Sequence, residues 1–189
     1  MIQPAKIELA NLPTPIQSVK FGQTNFLMKR DDFTGSELSG NKIRKLEFLL
    51  ADAKRKRINT IFTCGGNQSN HCRATVMAAA NLGIKSKLFL WGRASANPRG
   101  NLLLNKILGA ELQFLSLSSY KNVNRLMAVE AEERKARSEK VYIIPTGGSN
   151  AVGIWGYINF VNEISKQIDF IDSKGILCAN GSGGTVAGI

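Results

Sequence analysis

Thr60-Ile61-Phe62-Thr63-Cys64-Gly65-Gly66-Asn67-Gln68-Ser69-Asn70-His71 reads as a strand, a turn and the opening of a helix. The first five residues are β-branched, aromatic or small and carry no charge, which is the pattern of a short buried strand. Two glycines break it. A helix then opens at Ser69 or Asn70 and runs through Val76 and Ala78 to Ala80, until Gly83 stops it in the C-cap position. Upstream, Phe26 to Lys29 reads as a strand and Asn41 as the N-cap of a helix. Downstream come a strand at Leu88 to Trp91, a loop from Gly92 to Gly100, a helix from Asn101 to Leu108 and a strand from Glu111 to Leu115. A polar helix from Asn122 to Arg137, a strand from Val141 to Pro145, a helix from Ile154 to Gln167 and a last strand from Ile176 to Ala179 complete the series. Such β-α repetition predicts an α/β protein with open, mostly parallel twisted sheets and helices on both faces. The chain stops only a few residues into the helix expected after Thr185, so a fragment lacking its C-terminal part is expected.

Composition narrows the functional classes. At 189 residues, 43% hydrophobic and 21% charged, the chain has the make-up of a globular protein with a sizeable core. No apolar run approaches the roughly 18 residues of a membrane span, and the N-terminus lacks a signal peptide's layout, so the expected compartment is the cytoplasm. Three cysteines without a Cys-x-x-Cys spacing argue against a disulfide framework or a structural zinc site. A net charge of +11 favours anionic small ligands. Its densest cluster, Lys54 to Arg57, closes a helix and is not interleaved with aromatic residues, so specific nucleic-acid binding is not expected.

The helix behind Asn41 carries apolar residues at Ile43, Leu46, Leu49, Leu50 and Ala53, a one-sided pattern, and places Lys42 and Lys45 three apart on one face. Mutual repulsion is expected to lower both pKa values. A partly desolvated Lys42 then becomes an amine nucleophile towards an aldehyde, while Lys45 remains a cation suited to a phosphate. Taken alone, the pair is better read as a solvated basic helix start, since most lysines are surface residues.

Three loops that leave expected strands alter that balance. Gly65 to His71 offers polar side chains at a helix N-terminus, a place for a carboxylate. Gly147-Gly148-Ser149-Asn150 is built similarly, and Gly181-Ser182-Gly183-Gly184-Thr185 could hold a phosphate on its amides and hydroxyls. A reactive lysine, a cationic neighbour, a carboxylate loop and a phosphate cup are what an enzyme using pyridoxal phosphate on an amino acid requires.

Leu12-Pro13-Thr14-Pro15, Lys29-Arg30-Asp31-Asp32, Gly40-Asn41-Lys42-Ile43-Arg44-Lys45-Leu46-Glu47, Gly66 to His71, Ile144 to Asn150 and Gly181 to Thr185, in this order, resemble the 1-aminocyclopropane-1-carboxylate deaminase and D-cysteine desulfhydrase family. The resemblance implies a two-domain fold of pyridoxal-phosphate type II, divided at residues 1–45 and 46–150, with 151–189 opening the remainder of the large domain. It implies that Lys42 carries pyridoxal 5'-phosphate, that Asn70 partners the cofactor's ring hydroxyl, and that Lys45 with Gly181, Ser182, Gly183, Gly184 and Thr185 forms the phosphate site. Ser69 is implied as a catalytic hydroxyl, competing with Lys42 for the role of α-proton base, and Ser69, Asn70, His71 and Gly148 as substrate-binding. The forms Ser69-Asn70-His71 and Gly147-Gly148 look more like the desulfhydrase branch. The implied reaction is α,β-elimination from a small amino acid, with D-cysteine giving pyruvate, ammonia and sulfide. The alternatives are 1-aminocyclopropane-1-carboxylate deamination to 2-oxobutyrate, or a non-catalytic fragment. A homodimer is expected. Members continue past the glycine-rich cup, where further substrate-facing groups lie.

Other chemistries fit less well. One histidine excludes a multi-histidine metal site, and His71 lies too close in sequence to Ser69 for a hydrolase triad. His71 is either a hydrogen-bonding residue at a helix start or a substrate neighbour. Ser149 reads as structural or carboxylate-facing, and Cys64 as packing. A dinucleotide-binding oxidoreductase would need an acidic residue for the ribose beyond Gly181, and none follows.

Overall fold

A computed structural model describes residues 2–35, 40–170 and 173–189. Its centre is a four-stranded sheet of β3 (Thr60–Gly66), β4 (Lys85–Trp91), β5 (Glu111–Leu115) and β6 (Val141–Ile143), in the order β5-β4-β3-β6 with every pair parallel. β3 is central and buried along six of its seven residues, which is why it reads as an unbroken apolar run rather than an alternating one. Alternate residues nevertheless feed two different cores. Ile61 packs with α1 (Ile43–Arg55) and α2 (Asn70–Asn81), and Leu88 and Leu90 pack with α2 and with α3 (Gly100–Ile107). Phe62, Cys64 and Phe89 face the other way, onto Val123 and Met127 of α5 (Val123–Lys135). Helices therefore cover both faces, as expected. A short α4 (Leu117–Tyr120) and α6 (Trp155–Ile164) complete the helices used below. Among the described residues, no helix is long and apolar enough to cross a membrane.

Four expectations are corrected. First, the strand expected at Phe26 to Lys29 is present within β2 (Thr24–Lys29), but it stands outside the parallel sheet, in an antiparallel hairpin with an unexpected strand β1 (Ile16–Phe21), closed by Gly22 at a φ of 60°. Second, Ile176 to Ala179 is not a strand. Its backbone lies beside no other strand among the described residues, and Leu177 is 93% exposed, so apolar content lacks the pairing that makes a strand. Third, Asn41 is not the cap of α1. Lys42 occupies that position, because the Asn41 Oδ1 accepts from the Lys42 ammonium at 2.9 Å instead of from a helix amide.

The fourth correction concerns the one-sided reading of α1. Every residue from Ile43 to Ala51 is buried, Arg44, Lys45 and Glu47 included. α6 lies across it, and the segment before β1 lies along it through Leu9 and Ala10 amides that donate to the Glu47 carboxylate, each at 3.0 Å. Buried charges require partners, and each of these has them. Lys42 caps the helix whose first turn carries Lys45.

Candidate active site

Sheet order locates the site before any side chain is considered. The chain builds β3, β4 and β5 in one direction, then returns to lay β6 on the opposite side of β3. Beyond the carboxyl ends of the strands is where open α/β sheets bind ligands, and there the segments leaving β3 and β6 run side by side, the Thr63 hydroxyl donating to the Ile144 carbonyl at 2.8 Å and the Cys64 Sγ meeting the Thr146 hydroxyl at 3.1 Å. The segments 65–71 and 144–150 continue from these two strands, and the first turn of α1 reaches the second of them through Lys45.

Arg44 anchors α1 at this place. Its guanidinium is 1% exposed and grips Asp31 with two bonds of 2.9 and 2.8 Å, Glu163 with two of 2.9 and 3.1 Å, and the Thr14 hydroxyl at 3.0 Å. Lys29 also pairs with Glu163. The Lys29 to Asp31 stretch and the Lys42 to Lys45 stretch are therefore halves of one buried ion network. Gly156 of α6 allows the close approach: a Cβ there would lie 2.7 Å from the Lys45 amide nitrogen and against the Arg44 carbonyl.

The two lysines differ in surroundings. Lys42 is half-buried, and desolvation lowers its pKa. Lys45 is 1% exposed, and burial, then the Lys42 charge, bring it down to about 8. Repulsion thus registers on Lys45 after burial, while the depression of Lys42 is a burial effect. The Lys45 ammonium donates to the Gly147 carbonyl and the Ser149 Oγ, both at 3.2 Å, and sits 5.8 Å from the Tyr157 ring centroid.

The Ser149 hydroxyl in turn pairs with the Ser182 hydroxyl at 2.8 Å, which brings the glycine-rich segment to α1. Two glycines shape the space between them. A Cβ on Gly184 would lie 2.7 Å from the Lys45 Nζ, and one on Gly147 would lie 3.1 Å from the Ser182 Cβ and 3.5 Å from the Lys42 Cε. Gly147, at a φ of 65°, and Gly183, at 80°, both hold left-handed backbone. The Gly148 amide donates to the Pro145 carbonyl at 2.8 Å, and the Gly148 α-carbon packs on Leu49 and Lys45 of α1.

Beyond β3, Ser69 is the N-cap of α2, accepting from the Cys72 amide at 3.2 Å, so its own proton remains to be donated. Gly65 permits this, since a Cβ there would lie 2.7 Å from the Ser69 Oγ. His71 is 5% exposed and bonds the Thr63 hydroxyl at 2.9 Å. Burial first, and then the Lys42 and Lys45 charges, push its pKa down to about 3, so the ring is neutral near pH 7. That electrostatic coupling places the start of α2 and the lysines in one field. Asn70 is exposed, and its Oδ1 accepts from the Asn101 Nδ2 at 2.8 Å.

The structure thus gathers Lys42, Lys45, Ser182 and Gly184 around one space, with Ser69, Asn70 and His71 held together at the start of α2, while Gly181 is exposed with open space around its α-carbon. Thr185 is half-buried, and its carbonyl accepts from the Gly188 amide at 3.1 Å. Sequence reasoning left Ser149 undecided between two roles and did not single out Gly147 or Arg44. The signal for Arg44 was available: arginine, lysine and glutamate on several faces of an otherwise apolar helix cannot all be solvated. The residues fit pyridoxal phosphate, because a glycine-walled space holds an ammonium and two hydroxyls able to donate to a phosphate, beside a second, desolvated amine.

Comparison with known proteins agrees with this geometry. Residues 7–189 match the family model described as pyridoxal-phosphate dependent enzyme, and the chain belongs to that family. It is 46% identical to a Thermotoga maritima protein named provisionally as a 1-aminocyclopropane-1-carboxylate deaminase, over 97% of this chain and 60% of that one. It is 43% identical to the mitochondrial bifunctional D-cysteine desulfhydrase/1-aminocyclopropane-1-carboxylate deaminase of Arabidopsis thaliana, over 96% of this chain and 49% of that one. The crystal structure of an ACC deaminase homologue superposes with a TM-score of 0.87 at 38% identity, covering 98% of this chain and 57% of that one. The chain therefore spans about half to three-fifths of the length of these relatives.

Proposed function

We propose that the protein is a pyridoxal-phosphate-dependent lyase that performs α,β-elimination on a small amino acid, with D-cysteine as substrate and pyruvate, ammonia and sulfide as products. The observation that carries this reading is the convergence of a desolvated amine at Lys42 with a second cation, Lys45, and the Ser149 and Ser182 hydroxyls around a glycine-walled space. Bound pyridoxal phosphate supplies an electron sink for the pair left when the substrate Cα–H bond breaks. Lys42 would hold the cofactor's aldehyde through its amine. Lys45 and the 181–185 segment would hold its phosphate, and Asn70 its ring hydroxyl. Ser69 and His71, at the start of α2, would meet the substrate. The α-proton would be taken by the Lys42 Nζ or the Ser69 Oγ. The site then lies between units of 1–45 with 151–189 and of 46–150.

D-cysteine is preferred because Ser69, Asn70, His71 and Gly148 have the form seen in the desulfhydrase branch. A second reading, 1-aminocyclopropane-1-carboxylate deamination to 2-oxobutyrate, is favoured by the name of the Thermotoga maritima relative, while the Arabidopsis thaliana relative is named for both activities. The full-length protein should show a visible absorbance band with pyridoxal phosphate that is lost in Lys42→Ala, and should release sulfide and pyruvate from D-cysteine. A band retained in Lys42→Ala removes the Lys42 assignment, and 2-oxobutyrate from the cyclopropane substrate as the main product selects the second reading.

A further inference from the structure

We propose that Asn101, at the start of α3, is a positioning residue that decides which end of the Asn70 carboxamide is presented to the cofactor. This rests on the reading of Asn70 as the partner of the cofactor's ring hydroxyl. A carboxamide has a donating and an accepting end of nearly the same shape, and only the donating end stabilises a ring oxygen that has lost its proton. Something must therefore choose between the two.

The choice runs outward from the backbone. The Asn101 Nδ2 donates to the Gln68 carbonyl oxygen at 2.8 Å. A carbonyl can only accept, so this bond fixes the orientation of the Asn101 amide. The second Nδ2 proton goes to the Asn70 Oδ1, also at 2.8 Å, which turns the Asn70 Nδ2 away from Asn101 and leaves it to donate elsewhere. Gln68 secures the arrangement: its Oε1 accepts from the Asn101 amide at 2.9 Å and its Nε2 donates to the Arg99 carbonyl at 3.0 Å. Gly100, at a φ of 56°, lets the Gln68 side chain lie this close, since a Cβ there would fall 2.6 Å from the Oε1. The start of α3 is thus clamped to the loop that carries Asn70, and the clamp carries orientation as well as position.

Asn101→Asp inverts the signal without changing the size of the side chain. A carboxylate only accepts, so Asn70 turns its Nδ2 towards residue 101 and presents its Oδ1 to the ring hydroxyl. The ring oxygen then keeps its proton to a higher pH. Full-length protein loaded with pyridoxal phosphate is compared as wild type, Asn70→Ala, Asn101→Asp and the double variant. The readouts are the pH midpoint of the visible band and the cofactor dissociation constant. Asn101→Asp is expected to raise the midpoint by roughly one unit and to weaken the cofactor on the order of tenfold, as loss of a hydrogen bond to a charged group does. In the Asn70→Ala background it should add no further shift, because the group it orients is gone. A shift of equal size in both backgrounds, or none in either, overturns the proposal while leaving Asn70 in place. Asn70→Ala that moves neither readout overturns the Asn70 assignment itself. If Asn101→Asp does not accumulate as folded protein, Asn101→Ala is run through the same cycle, with a smaller shift expected that again vanishes without Asn70.

Discussion

At Lys45 and His71, burial sets the charge state, and the sign of each effect can be followed. Lys45 loses its proton near pH 8 in the folded chain against an ordinary 10.5. Between those values the unfolded chain binds more protons, so stability of the cofactor-free protein rises with pH from about 8 to 10.5. Lys45→Met removes that slope, and denaturant titrations across this range should show the wild type gaining roughly 2–3 kcal/mol relative to the variant. The same substitution deletes the cation proposed to face the phosphate, so pyridoxal phosphate should bind roughly 10- to 100-fold more weakly in an absorbance titration. A variant that lost stability but kept its cofactor affinity would make Lys45 a packing residue. His71 has the same sign in a lower range of pH. It stays neutral down to about pH 3 when folded and titrates at an ordinary 6.5 when unfolded, so stability falls as pH drops from 6.5 towards 3. His71→Gln lacks that loss, and the stability difference between variant and wild type should move in the variant's favour by a few kcal/mol over this interval. A difference independent of pH would mean that the ring is solvated. The lysine pair could be found from spacing alone. Burial could not, because it depends on α6, which arrives more than a hundred residues later.

For α1, what matters is what covers it. The Lys42 to Lys45 turn is held in place by an ion network on one side and by backbone contact with α6 on the other, and Gly156 sits where the two helices meet. Alanine has the better helix propensity by up to about 1 kcal/mol. Steric overlap with the Arg44 carbonyl and the Lys45 amide outweighs that gain, because backbone cannot move aside as a flexible side chain does. Gly156→Ala is expected to cost about 1–3 kcal/mol in urea unfolding and to weaken the cofactor as well, since the displaced turn carries both lysines. Unchanged cofactor affinity in a destabilised variant would separate the packing from the site. Local pattern made β3 with α2 readable, because a buried run and a serine cap are encoded within twelve residues, but the two glycines expected to break the strand are its last two residues, paired with Leu90 and Trp91, and the turn follows at Asn67 and Gln68. The β1–β2 hairpin escaped notice because only its second strand was read as a strand, and Gly22 was not read as its turn. Ile176 to Ala179 misled for the opposite reason: β propensity without a neighbouring strand to pair with.

Across the whole molecule, the site joins segments that are distant in the chain. Lys45, Ser149 and Ser182 meet through bonds spanning 104 and 33 residues, and the order β5-β4-β3-β6 sets the segments leaving β3 and β6 side by side. Repeated β-α units predicted the sheet and its parallel sense. Strand order was not readable, because the return of β6 to the far side of β3 leaves no mark in local periodicity. The arrangement has a measurable consequence. The Ser182 side chain is tied inward by a hydroxyl pair with Ser149, and residues 173–180 are almost wholly exposed, whereas β3 is bonded on both sides. Amide exchange in the full-length protein should therefore be slowest in β3 and fast in 173–183 without cofactor. A phosphate held between Lys45 and the 183–185 amides would bind the folded form selectively, and protection there should rise with ligand concentration as mass action requires, by about 2.7 kcal/mol at a hundredfold excess over the dissociation constant. Inorganic phosphate alone should slow exchange at 147–149 and 183–185 together, leaving β5 unchanged. Protection confined to one of the two segments would mean that they do not share a ligand, and the cup would have to be assigned to one loop.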